Sequence, residues 1–145
     1  MEDRMISGAI AGAAGAVIQN IYSFLLRLWG LSDRGYVDFG RAIIFFQVKD
    51  GGLTFFLALV AHMTLDILLG ILFAYIIKNS ARRYYYIKAV IFSLVSWFFL
   101  HAAGTVLRLP VFFNIPAYAA LITLIGASIY SLATAYILEI LKRRN

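Results

Sequence analysis

The stretch LTFFLALVAHMTLDILLGILFAYII, from Leu53 to Ile77, constrains this chain more than any other. It is 25 residues long and apolar almost throughout. A helix of roughly 20 residues crosses a hydrocarbon core of about 30 Å. Lipid offers no partner to backbone groups left outside a helix or a closed barrel. Two ionisable side chains, His62 and Asp66, interrupt the run. A charge at the centre of a span costs about 3 kcal/mol on insertion scales, so both side chains are expected to face protein or water. Four residues apart, they share one face of a helix.

Three further apolar runs accompany this one, and the spans are placed at about 5–27, 53–77, 88–107 and 117–141. The chain is 63% apolar and 14% charged, against about 25% charged in soluble domains, with a mean hydropathy of +0.86. A soluble fold of 145 residues has too little interior to hide that much apolar surface. The expectation is all-α: a four-transmembrane-helix bundle forming one integral membrane domain over 1–145. Met1–Glu2–Asp3–Arg4 is a poor signal-peptide start because it carries two acids beside one base, so the first run reads as a retained helix. The absence of cysteine excludes disulfides and thiolate chemistry.

The net charge of +6 sits at the ends of the apolar runs, where topology signals belong, and does not point to nucleic acid. Arg4, Lys78, Arg82, Arg83, Lys88, Lys142, Arg143 and Arg144 fall on one side. Arg27, Arg34, Arg41, Lys49 and Arg108 fall on the other, diluted by Asp33, Asp38 and Asp50. Eight against five places both termini and the 78–88 loop in the cytoplasm, in a multi-pass protein of the cell (inner) membrane. The connection 28–52 is too long for a turn. Its segment YVDFGRAIIFFQVKD predicts an interfacial helix in the first outer loop. Arg108, Pro110, Asn114 and Pro116 predict a second irregular piece on the same side, interfacial or shallowly re-entrant. Trp29 and Tyr36 are expected at the outer interface and Tyr84, Tyr85 and Tyr86 at the inner one.

Polar residues inside the runs are the candidates for function. His62 lies 16 residues before Lys78, and His101 lies 16 after Tyr85. At about 1.5 Å per residue both imidazoles are roughly 24 Å from the 78–88 loop. Gln19 and Asn20 fall near that level, Thr123 and Ser128 bracket it, and Asp66 lies one turn below. This polar layer, with Arg108 at the outer mouth, is the expected ligand-binding feature. Gly8 and Gly12 form a G-x-x-x-G pair continued by Gly15, which predicts a tight helix contact within the chain or between copies.

Several chemistries suit the layer. Cross-helix hydrogen bonding needs no ligand. A transport or binding cavity would use the same residues. His62 and His101 could ligate haem b, with Gly70 and Gly104 leaving room for the ring. His62, Asp66 and His101 could hold a metal ion, though a fourth ligand is not evident. Nucleophile-elbow, zincin, P-loop and dinucleotide motifs are missing from the sequence. The stretch HMTLDILLGILFAYI, together with YVDFGRAIIF, resembles uncharacterised four-helix integral membrane proteins of bacteria, mostly from Gram-positive lineages. That resemblance implies the architecture and carries no activity or site residue. The leading functional expectation is a non-enzymatic membrane component or partner-binding subunit in the lipid bilayer, as a homo-oligomer or part of a larger membrane complex. A small transporter or ligand-binding bundle is the alternative, and a haem- or metal-binding redox subunit the third.

Overall fold

The computed structural model describes residues 3–46, 51–77 and 84–144. These form five α-helices: α1 (Arg4–Leu28), α2 (Tyr36–Phe45), α3 (Gly52–Ile76), α4 (Tyr85–Val106) and α5 (Ala117–Arg144), with no strand among the described residues. The four long helices are long and apolar enough to cross a membrane. Lys49, Asp50, Lys78, Arg82 and Arg83 lie outside the described residues.

Local chemistry sets the ends. The Asp3 carboxylate accepts hydrogen bonds from the backbone N–H groups of Met5 and Ile6 at 3.0 and 3.2 Å, capping α1. At the other end Gly30 adopts φ +69°, and Leu31 N–H reaches back to Leu26 O at 2.9 Å. This is a Schellman closure. Arg108 plays the same part after α4, with φ +51° and Leu109 N–H bonded to Gly104 O at 2.9 Å. In α2 the Asp38 carboxylate accepts from Gly35 N–H at 2.8 Å, a capping-box contact.

The long helices alternate in direction. Gly8 and Gly12, early in α1, meet Gly70 and Ile71, late in α3. A Cβ on Gly12 would stand 2.7 Å from the Asp66 carbonyl oxygen, and one on Gly8 would stand 2.7 Å from the Ile71 Cα. Gly15 turns instead to Tyr130 and Thr134 of α5. Small residues thus let α1 approach both α3 and α5 closely, as membrane-type packing requires. The G-x-x-x-G pair is used inside the chain.

Two apolar cores occupy opposite ends of the bundle. One gathers Phe73, Ala74, Ile77, Ala89 and Leu138 near the α3–α4 connection. The other joins Phe39 and Ala42 of α2 to Phe112 from the α4–α5 connection. Here α2 packs on α3 through Gly40, whose missing side chain admits the Ala58 carbonyl. Phe112 fills the space left by Gly104. Between the two cores, α3 and α4 stand apart.

Candidate functional site

The gap between the cores is a cavity of about 180 Å³. Every helix contributes to it. Gln19 comes from α1, and Tyr36, Phe39, Gly40 and Ile43 come from α2. The spacing 36, 39, 40, 43 is one face of a helix, so α2 closes the cavity with a single face. His62 and Asp66 project from α3, Ser93, Trp97 and His101 from α4, and Tyr130 from α5.

Tyr36 is the hub of the closure. Its ring stacks on His62 with centroids 5.5 Å apart and planes 13° apart. Its hydroxyl donates to Thr123 O at 2.7 Å, and Gln19 lines the cavity beside it. Burial pushes its pKa up, so the hydroxyl keeps the proton it donates. One side chain therefore ties α2 to α3 and α5. On the facing wall Trp97 Nε1 donates to Thr123 Oγ1 at 3.0 Å. The His101 ring lies 4.4 Å from Trp97 and 5.7 Å from Phe112.

The polar groups around the cavity are not closed by their own hydrogen bonds. His62 Nε2 and Asp66 Oδ2 approach to 3.2 Å without hydrogen-bond geometry. Among the described residues Gln19 Oε1 and His101 Nε2 are likewise buried without a hydrogen bond. Native structures leave few such groups, and each calls for an explanation. Tyr130 donates to the Asp66 carbonyl at 2.5 Å, which fixes the helix backbone and leaves the carboxyl to the cavity side.

Of the residues expected in one polar layer, Gln19, His62, Asp66 and His101 meet around the cavity. Asn20 does not: its side-chain amide donates to Ala16 O at 2.8 Å and lies 3.8 Å from Met63 Sδ. Arg108 is exposed at the end of α4, and its conformation closes that helix. Arg27 binds Asp38 at 2.7 Å and Asp33 O at 3.1 Å, so its charge is already answered at the α2 end.

The haem arrangement meets a physical obstacle. The room expected beside Gly70 and Gly104 is taken by Gly12 and Phe112. What remains is little larger than the cavity of about 150 Å³ that accommodates benzene in an engineered protein. Among the described residues no three His, Asp or Glu side chains converge as metal ligands. His62 and Asp66 meet, and His101 does not complete the set. Tyr36, expected at an interface, instead lines the cavity, as do Phe39, Phe112 and Tyr130. The signal for two of them was present as glycine: Gly126 faces the Tyr36 hydroxyl and Gly104 faces the Phe112 ring.

The fold and site thus define a bundle of four apolar helices around a capped internal cavity. Comparisons with protein-family models, with curated proteins and with solved structures give no match to this chain.

Proposed function

We propose that this chain is a non-enzymatic, multi-pass membrane protein that binds a small, largely apolar ligand in the cavity beneath α2. Its four long helices span the bilayer, with both termini in the cytoplasm and α2 at the outer side. One observation carries the reading: among the described residues, four buried polar atoms around an apolar cavity make no hydrogen bond, Gln19 Oε1 and His101 Nε2 standing alone and His62 Nε2 and Asp66 Oδ2 facing each other at 3.2 Å. A layer serving only to fix helix packing would use such groups on one another, because an unsatisfied buried group costs about 1–3 kcal/mol. A cavity with mostly apolar walls and a few polar groups is the usual form of a small-molecule site.

Native mass spectrometry of the protein released from detergent tests this. The expected spectrum contains the chain plus a small-molecule adduct, which Ala127→Phe and Ser96→Phe, each filling the cavity, remove. Circular dichroism confirms that the helices of both variants persist. The bare protein mass in wild type, even after incubation with extracted membrane lipids, would refute the proposal.

A further inference from the structure

Resting on the ligand-binding reading, we infer that the ligand enters sideways from the lipid phase between α3 and α4 and is a ring-bearing lipophilic alcohol of the phenol type. The first half concerns the route. The cavity is buried at its back, where His62, Asp66 and Ser93 sit, and its rim is not. Ala61, Leu65 and Leu69 of α3 and Ser96 and Leu100 of α4 line it while half-buried, and Ile43 of α2 lines it at 49% exposure. These residues mark facing edges of two helices held apart by α2 at one end and joined through the Phe73–Phe92 rings, 5.3 Å apart, at the other. The α3 part of the rim, 61 to 69, straddles the middle of Gly52–Ile76. An opening at mid-span meets hydrocarbon, so what passes through it must already be dissolved there.

The second half concerns chemistry. His101 Nδ1 lies 2.9 Å from Trp97 O. A carbonyl only accepts, so Nδ1 carries the hydrogen of the neutral ring, and the unpartnered Nε2 is an acceptor. The Gln19 Oε1, buried without a hydrogen bond among the described residues, is a second acceptor, since an amide oxygen only accepts. A site presenting acceptors wants a donor. Tyr36, Phe39, Trp97, Phe112 and Tyr130 surround a volume of about 180 Å³, a little more than benzene needs. An aromatic ring carrying a hydroxyl meets both requirements. An apolar tail on the ring leaves through the slot into the bilayer.

The chain's two tryptophans make the test direct. Trp29 is 68% exposed at the end of α1, whereas Trp97 lines the cavity. In lipid nanodiscs, the full chain carrying Trp29→Phe is titrated with a bromophenol bearing a dodecyl tail, whose bromine quenches tryptophan on contact. A Trp97→Phe chain, reporting from Trp29, measures non-specific partitioning. The expected result is saturable quenching of Trp97 and only linear quenching of Trp29. The methyl ether of the probe, which has no donor, needs about tenfold more for half-saturation, the loss of roughly one buried hydrogen bond. Ala61→Phe and Leu100→Phe, which narrow the slot from either helix, each raise the half-saturating concentration at least tenfold with helicity unchanged. Equal binding of phenol and ether would overturn the donor assignment and leave the ligand-binding reading standing. Undiminished quenching in both slot variants would overturn the lateral route. Quenching of Trp97 by neither probe would overturn the whole inference, while the adduct in native mass spectra would decide the broader reading separately.

Discussion

The two faces of α3 are built on opposite plans. Toward α1 it presents Gly70 and Ala74 to Gly8 and Gly12, and the backbones touch. Toward α4 it presents His62, Leu65, Asp66 and Leu69 to a cavity. One face is closed by having no side chains. The other is held open by aromatic groups wedged at its ends. In a bilayer, where lipid is as apolar as leucine, shape fit supplies helix association. The α1 face has that fit, and the α4 face has it only through inserted parts. The close-packed seam thus lies on one side of α3, and the cavity lies on the other.

Substitutions can break this comparison. The largest effect is expected from Gly12→Leu, because its side chain meets the Asp66 carbonyl and the backbone of Ile67 and Gly70. Destabilisation by about 3 kcal/mol or more is expected, since overpacking here has only main chain to push against. Denaturation in mixed micelles measures it, and a tolerated Gly12→Leu would mean that the α1–α3 seam is not the close-packed side. Gly40→Leu should follow at about 2 kcal/mol, with α2 lifted from Ala58 and the cavity opened, visible as faster hydrogen exchange in 36–45. Tyr36→Phe removes the hydroxyl that bonds Thr123 O and should lower stability by about 1.5 kcal/mol in the same assay. Arg27→Ala disrupts an ion pair whose arginine is 49% exposed and should cost less than about 1 kcal/mol, shrinking further in high salt. An Arg27 effect as large as that of Tyr36 would shift the weight of the α2 attachment from the buried hub to the surface.

The four long helices were legible because each run is long and apolar enough to cross a membrane, and such a run reads as one helix. The run 53–77 is found as Gly52–Ile76, and 117–141 as Ala117–Arg144. His62 and His101, set at one level by counting the helical rise from a shared connection, both line the cavity. Rotation about the helix axis was not legible. Gln19 and Asn20 are neighbours at one depth, yet only Gln19 faces the cavity. The connections were harder still. Phe112 carries no periodic signal, and Tyr36, although it shares a helical row with Phe39, Gly40 and Ile43, flanks a span, where aromatic residues normally mark the interface. What draws them inward is the vacancy opposite each, at Gly126 and Gly104. A lone glycine in an otherwise bulky apolar helix records a visitor from elsewhere in the chain. Gly70 and Gly104 suggested room for a porphyrin, and the chain itself occupies both places.

The Tyr36 hub has a further consequence, in time. Its hydroxyl acceptor, Thr123 O, lies 87 residues downstream. At about 5–20 residues per second of synthesis, that interval is roughly 4–17 s. During it α2 has been made and its mooring on α5 has not. The Tyr36–Thr123 bond can therefore form only after α5 has been made, whereas the seating of Gly40 on Ala58 and of Tyr36 on His62 needs only α3. A cysteine placed at position 36 should react with a membrane-permeant maleimide in nascent chains stalled before Ala117 and resist it once α5 has emerged. Equal reactivity at both stages would show that the cap closes without α5.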